Sequence, residues 1–163
     1  MMSGKMRVYV ETSVVSYLTA RPSHDVLKMA QQLATRDWWG RAPSLYDLFV
    51  SDLVIDEASR GDAEAAAKRV SAVNGVCRFL PINREMIALA ERLVEVTAVP
   101  QSSLDDAIHI ATAAIHRMDY IVSWNCRHIA NPQTKPLIRK TCEAMGFIYP
   151  EICTPFDMIG GSL

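Results

Sequence analysis

Short apolar segments alternate with longer segments of helical periodicity along the chain. Met6–Val10 is short, mostly apolar and followed directly by polar residues, which predicts a first strand. Phe49 and Val50 predict a second strand that runs into a helix carrying Glu57, although a helix over residues 44–50 also fits the pattern. The first part of the chain therefore holds two candidate strands, each of which leads into polar residues.

The rest of the chain continues this alternation. The predicted elements are a helix over residues 63–72, a strand over 78–80, a helix from Asn83 to Ala98, a helix that opens at Ser102 and Ser103 and reaches Ile115, a strand over 119–123, a helix over 134–145 and a last short strand within 147–153. This alternation predicts an α/β fold, a three-layer α/β/α sandwich with a mainly parallel central sheet and helices on both faces. Since 163 residues suffice for one good core but hardly for two, we expect a single domain over residues 1–163.

The composition is that of a globular protein, with 50% apolar and 21% charged residues. The formal net charge is −1, so no global field attracts a polyanion, and any nucleic-acid contact must rest on a local patch. No apolar segment approaches the roughly 20 residues that span a bilayer, and no leader pattern opens the chain. We therefore expect a soluble cytoplasmic protein that does not contact a membrane.

The four cysteines lie far apart and form no C-x-x-C pair, which indicates reduced thiols rather than a disulfide framework. Cys126 and His128 form a C-x-H step that could be half of a zinc site. No second Cys/His pair with ligand spacing follows, so zinc is a minor alternative.

Carboxylates follow or flank the predicted strands in three distant segments. Glu11 comes directly after the first strand, Glu57 follows the second, and Asp105 and Asp106 lie in the first turn of a helix. Ligands of parallel α/β sheets bind beyond the carboxyl ends of the strands. Oxygen-rich clusters suit Mg²⁺ or Mn²⁺, which can lower the pKa of a water and neutralise charge on a phosphate.

Four short motifs occur in an order and spacing that are specific together, although each is common alone. They are Val8-Tyr9-Val10-Glu11-Thr12-Ser13, Ser51 through Ile55 followed by Glu57, Asp106-Ala107-Ile108-His109-Ile110-Ala111, and Ser123-Trp124-Asn125. With them the chain resembles, over nearly its whole length, the PIN-domain nucleases, and in particular the VapC-like toxins of bacterial toxin–antitoxin pairs. It departs from that family at two positions: residue 11 is Glu where most relatives have Asp, and residue 125 is Asn where many have a fourth acid.

The resemblance implies Mg²⁺- or Mn²⁺-dependent hydrolysis of RNA phosphodiester bonds, a homodimer, and an antitoxin whose peptide enters the active-site groove. It implies that Glu11, Glu57 and Asp106 hold the metal, with Thr12, Asp105 and Asn125 in support. The alternative is a catalytically inactive PIN module that binds RNA or protein. A nucleotide or flavin binder ranks lower, because neither G-x-G-x-x-G nor a Walker-type loop is present.

Simpler interpretations stand beside several of these roles. Asp105 has capping-box spacing from Ser102, and Glu57 fits a solvated helix position. Thr12 and Ser13 could cap a helix that begins near Val14. His109 could be a general base, but a histidine satisfied within the core or groove is the more frequent case.

The same holds for the residues that could contact nucleic acid. Trp124 could stack on bases, whereas core or dimer packing is favoured for Trp38 and Trp39. A basic group could bind phosphates or could equally be a solvated helix face. It consists of Arg127, His128, Lys135, Arg139 and Lys140.

Overall fold

The computed structural model describes residues 4–160, which form five strands and eight α-helices. The strands are β1 (Met6–Val10), β2 (Tyr46–Ser51), β3 (Arg78–Leu80), β4 (Tyr120–Val122) and β5 (Glu151–Cys153). The helices are α1 (Thr12–Thr19), α2 (Val26–Leu45), α3 (Asp52–Ala58), α4 (Ala63–Val73), α5 (Arg84–Glu95), α6 (Leu104–Ile115), α7 (Lys135–Ala144) and α8 (Pro155–Gly160). The predicted single domain over residues 1–163 includes both ends, which lie outside the described residues, and it stays a prediction.

The strands form one sheet in the order β3-β2-β1-β4-β5, and every neighbouring pair is parallel. In the central strand β1, Val8, Tyr9 and Val10 are all 0% exposed, because helices cover both faces of the sheet. From β1 the chain builds β2 and β3 on one side and β4 and β5 on the other. The strand order therefore reverses between β1 and β4, where ligands of open α/β sheets bind.

Helices form a layer on each face of the sheet, which confirms the predicted three-layer α/β fold. In one group α1 packs against α2, α3 and α4, and α2 also packs against α8. In the other group α5 packs against α6 and α7. Within residues 4–160, no helix has both the length and the hydropathy needed to cross a membrane.

The predicted strands β1 and β3 and the predicted helix α4 lie where the apolar pattern placed them. The second strand begins at Tyr46, so the alternative of a helix through residue 50 is wrong; only Ser44 and Leu45 belong to a helix. That helix, α2, was not predicted from the pattern. Apart from Trp38, its buried positions are small or polar residues rather than an apolar stripe, and they are Gln32, Ala34, Thr35 and Ala42.

The ends of α5 and α6 depend on local backbone geometry. Asn83 caps α5, since its Oδ1 accepts from the backbone N–H groups of Glu85 (3.0 Å) and Met86 (3.4 Å). This helix ends at Glu95 rather than Ala98, because Thr97 adopts a positive φ of 62°. Helix α6 begins at Leu104 without a side-chain cap from its N-cap residue, Ser103, so the structure does not support the capping-box interpretation there.

Substitution of Asn83 by alanine is expected to lower the free energy of unfolding by about 1 kcal/mol, because two N–H groups of α5 lose their acceptor. Urea unfolding monitored by circular dichroism measures this change. Ser103→Ala is the matched control at a helix start without a side-chain cap, and a change under about 0.5 kcal/mol is expected. Equal losses in the two variants would contradict the capping role of Asn83.

Candidate active site

Glu11 occupies the point where the strand order reverses. It follows β1 directly, and its backbone N–H donates to the carbonyl of Val122 at the end of β4 (3.1 Å). The residue is only 5% exposed. Its Oε2 accepts hydrogen bonds from the hydroxyls of Ser13 and Ser123, the latter at 2.7 Å. The fold thus buries a carboxylate at the carboxyl edge of the sheet and holds it with two hydroxyl groups.

Glu57 reaches the same place from α3, which begins immediately after β2. Its Oε1 accepts from Thr12 Oγ1 at 2.8 Å and lies 2.6 Å from Nε2 of His109. The Glu57 side chain is 23% exposed, so this carboxylate lies between the interior and solvent. The structure therefore brings the predicted residues Glu11, Thr12 and Glu57 together.

His109 projects from α6 into this group and is 0% exposed. Besides its contact with Glu57, the His109 Nε2 atom lies 4.0 Å from Oε1 of Glu11. The other ring nitrogen, Nδ1, lies 2.6 Å from the phenolic oxygen of Tyr9, which lies 2.8 Å from the hydroxyl of Ser51. Tyr9 and Ser51 are also fully buried. A chain of hydrogen bonds thus runs from Ser51 and Tyr9 in the core of the sheet through His109 to the Glu57 carboxylate.

The surroundings of Glu57, His109 and Tyr9 shift the pKa of each group, and Glu57 and His109 shift each other's pKa in opposite directions. Burial alone would raise the pKa of Glu57, but the hydrogen bond and positive charge offered by His109, with the hydrogen bond from Thr12, hold it below its usual value. Burial opposes charging of His109, yet Glu57, Glu11 and Asp106 together raise its pKa. Burial raises the pKa of Tyr9 well above its usual value, so its phenol stays protonated.

One potential ligand atom from each of Glu11, Glu57 and His109 lies within 4.8 Å of the other two. Carboxylate oxygens and imidazole nitrogens are ordinary ligands of divalent cations in proteins. Two buried or half-buried carboxylates side by side also repel each other unless a positive charge lies near them. The donor set of this cluster therefore fits a divalent cation.

Asp106 lies outside that three-residue group. Its Oδ2 is 2.8 Å from Nδ1 of His128, a residue of the loop after β4. Asp105 is exposed, and the Asn125 amide oxygen accepts from the backbone N–H of His128 at 3.0 Å, which caps the following turn. Metal ligation by Asp106 and supporting roles for Asp105 and Asn125 remain predictions.

The structure tests two simpler interpretations, helix capping by Thr12 and Ser13 and a zinc site at Cys126 and His128. Helix α1 begins at Thr12, and its N-cap residue is Glu11, so Thr12 and Ser13 are not caps. Instead, Thr12 contacts Glu57, while Ser13 contacts Glu11 and accepts from the backbone N–H of Trp124 at 2.8 Å. His128 is engaged with Asp106 rather than with Cys126, and no zinc-type group that includes Cys126 occurs among residues 4–160.

The suggested stacking of Trp124 on bases is wrong. Trp124 is 7% exposed; its ring packs on Tyr17 and Phe156, and its Nε1 donates to Thr35, which leaves no free face for a base. Two members of the basic group are engaged with other groups, and phosphate binding by this group stays a prediction. Lys135 Nζ donates to the carbonyl of Ile152, and Arg139 pairs with Glu151.

Sequence reasoning assigned no role in this site to Tyr9 or Ser123, and it favoured a histidine satisfied within the core or groove over a general base for His109. The helical spacing relates His109 to Asp106, three residues before it. Nothing local in the sequence indicates that the His109 ring faces Glu11 and Glu57, which are about a hundred and about fifty positions away. The feature of the sequence that could have indicated these residues is their polar character: Ser123 lies at a strand end, and Tyr9 and His109 lie within apolar segments. Their pairing depends on the strand order, which the pattern left open.

The family model of the PIN domain matches residues 8–127, well over half of the chain. The chain therefore belongs to the PIN-domain nuclease family, as its four motifs predicted. No curated protein matches the sequence significantly.

Comparison with solved structures shows the same fold. A chain of VapBC2 from Rickettsia felis, crystallised with a DNA fragment from the promoter, is 9% identical with a TM-score of 0.58, over 91% of this chain and 98% of that one. VapC20 from Mycobacterium tuberculosis, described as a Sarcin-Ricin loop cleaving toxin, is 16% identical with a TM-score of 0.55, over 86% of this chain and 96% of that one. At these identities the likeness is one of fold.

Substitution of Ser13 by alanine is expected to lower the free energy of unfolding by about 1–3 kcal/mol, because it removes one of the two hydroxyl donors to the Glu11 carboxylate and leaves the Trp124 N–H without its acceptor. Urea unfolding measures the change. Ser16→Ala on the same helix is the control, since that hydroxyl contacts neither group, and a change within about 0.5 kcal/mol is expected. If Ser13→Ala were as stable as Ser16→Ala, Ser13 would not anchor the site.

Proposed function

We propose that this protein is a metal-dependent endoribonuclease, and that it acts as the toxin of a type II toxin–antitoxin pair. The observation that carries the proposal is the cluster of Glu11, Glu57 and His109 at the reversal of strand order in a PIN-domain fold. The description of VapC20 as a toxin that cleaves the Sarcin-Ricin loop supports a nucleic-acid substrate. We also propose that it acts in the cytoplasm, where it would meet its RNA substrate.

Glu11 and Glu57 would hold the cation, with Asp106 at the mouth of the same site. Mg²⁺ or Mn²⁺ bound there would supply Lewis acidity, which favours water as a nucleophile and neutralises charge on the scissile phosphate. Ser13 and Ser123 orient the Glu11 carboxylate, and Thr12 orients that of Glu57. Asp106 is 21% exposed and paired with His128, so both can meet an entering RNA chain.

Cleavage of a labelled single-stranded RNA tests the activity. With Mn²⁺ the wild type is expected to cut the RNA and to leave the matched DNA oligonucleotide intact, and EDTA is expected to abolish cleavage. Glu57→Gln and Asp106→Asn are each expected to reduce the rate by about 100-fold or more, since each removes a charge that stabilises the transition state. The readout is the product band on a denaturing gel.

Asp56→Asn is the matched control for these variants. Asp56 neighbours Glu57 on α3, but its side chain is exposed and pairs with Arg60 at the surface, so the rate should stay near that of the wild type. Cleavage that survives EDTA, or that Glu57→Gln leaves unchanged, would contradict the metal-carboxylate mechanism. If the wild type binds Mn²⁺ or RNA but does not cleave, the chain is instead the inactive binding module.

We further propose an antitoxin partner and a homodimer. The similar Rickettsia felis chain comes from a VapBC2 assembly, which supports a protein partner. Helix α2 also exposes apolar side chains on one face at Val26 (83%) and Leu33 (58%). Such a face supports association of two copies of this chain, because large exposed apolar patches usually mark interaction surfaces.

The wild type is expected to be a dimer, and Val26→Glu combined with Leu33→Glu is expected to be a monomer, because charges would then enter an apolar interface. Size-exclusion chromatography with light scattering measures the mass. Ile148→Glu is the control, since Ile148 is 66% exposed but lies in the segment before β5, far along the chain from α2. A monomeric wild type, or a double variant that stays dimeric, would contradict this interface.

A further inference from the structure

The His109 ring lies where a cation ligand would be expected. It is completely buried, and its Nε2 faces both carboxylates, at 2.6 Å from Glu57 and 4.0 Å from Glu11. Two roles fit an imidazole in this position. The ring can share the carboxylates' cation as a ligand, or it can take the place of that cation as a hydrogen-bonded positive charge.

The atoms behind the ring favour the first case. Histidines that bind metals usually hydrogen-bond through their other ring nitrogen, which fixes the orientation and the tautomer. Here Nδ1 of His109 contacts the hydroxyl of Tyr9, which contacts Ser51, and Ser51 accepts from the backbone N–H of Val54 at 3.3 Å. Hydroxyl groups can donate or accept, so Tyr9 can accept a hydrogen bond from Nδ1–H, and the Nε2 lone pair is then available to a cation that takes the place of the Nε2 proton facing Glu57.

We propose that His109 Nε2 ligates the divalent cation together with Glu11 and Glu57, and that this imidazole makes the site prefer Mn²⁺ to Mg²⁺. The inference rests on the proposed function, to which it adds a ligand and the choice of cation. Mg²⁺ strongly prefers oxygen ligands and gives up its waters reluctantly, whereas imidazole nitrogen suits transition metals. Tyr9 and Ser51 are then positioning residues, which act through His109.

The two possible roles of His109 predict opposite effects. If the ring is a ligand, removing it weakens Mn²⁺ binding. If the ring is instead a fixed positive charge that neutralises Glu11 and Glu57, removing it strengthens Mn²⁺ binding, because a competing cation is lost. The sign of the change in affinity therefore distinguishes a ligand from a competing charge.

Isothermal titration of the full chain with Mn²⁺ and with Mg²⁺ measures this sign. The wild type is expected to bind Mn²⁺ at least about tenfold more tightly than Mg²⁺, and His109→Gln is expected to lose at least about tenfold in Mn²⁺ affinity and much less in Mg²⁺ affinity. Tyr9→Phe should weaken Mn²⁺ binding about tenfold as well, since the ring loses its orienting partner. His116→Ala is the matched control at the C-cap of α6, because His116 contacts the Pro81 carbonyl and lies about two turns from His109; the Mn²⁺ affinity of this variant should equal that of the wild type.

Pulsed electron paramagnetic resonance of the Mn²⁺-loaded wild type tests the ligand directly, so its main result does not depend on whether a variant folds. Hyperfine coupling to a ¹⁴N nucleus is expected, and it should disappear in His109→Gln. Absence of nitrogen coupling in the wild type, or tighter Mn²⁺ binding by His109→Gln, would overturn the ligand role of His109. The proposed function would still stand if the protein cleaved RNA in an Mn²⁺-dependent manner. Absence of any Mn²⁺ binding would overturn both.

Discussion

The central constraint on this structure is that the carboxylate of Glu11 lies buried at the carboxyl edge of a parallel sheet. An ionised carboxylate removed from water is costly unless hydrogen bonds or an opposite charge compensate it. Here the hydroxyls of Ser13 and Ser123 supply the hydrogen bonds, and the imidazole of His109 lies within reach of the charge. Placing a second acid, Glu57, beside it increases the need for a positive charge, which is the physical basis of the proposed metal site.

The fold explains why these groups meet. Because the strand order reverses between β1 and β4, the residues that follow these two strands, Glu11 and Ser123, lie side by side. Helix α3 begins directly after β2 and carries Glu57 one strand away. Helix α6 supplies His109 and Asp106, three residues apart and hence on one face. Each side chain therefore comes from the end of a strand or from a helix packed over that end.

The sequence predicted the layers of the fold and the convergence of Glu11, Thr12 and Glu57, because strand ends in a parallel sheet share one edge. It did not predict α2, whose buried face includes the polar residues Gln32 and Thr35 and only one large apolar residue, Trp38. It also left base stacking open for Trp124, whereas the ring is buried and its Nε1 donates to Thr35. Both outcomes depend on tertiary packing, which local patterns do not report.

The position of His109 shows the same limit at the site itself. Helical spacing relates it to Asp106, but its hydrogen bonds to Tyr9 and Glu57 join segments far apart in sequence. Asp106 lies against His128, outside the group formed by Glu11, Glu57 and His109, and its metal ligation stays a prediction. A site with an imidazole at its centre and a second acid–histidine pair beside it differs from a simple cluster of acids.

The most direct test of this account is the position of the cation in a crystal of the protein soaked with Mn²⁺ and measured at a wavelength where manganese scatters anomalously. The account predicts an anomalous peak within coordination distance of the Glu11 and Glu57 carboxylates and His109 Nε2. A peak confined to the Asp106 and His128 pair, or no peak at a saturating Mn²⁺ concentration, would contradict it.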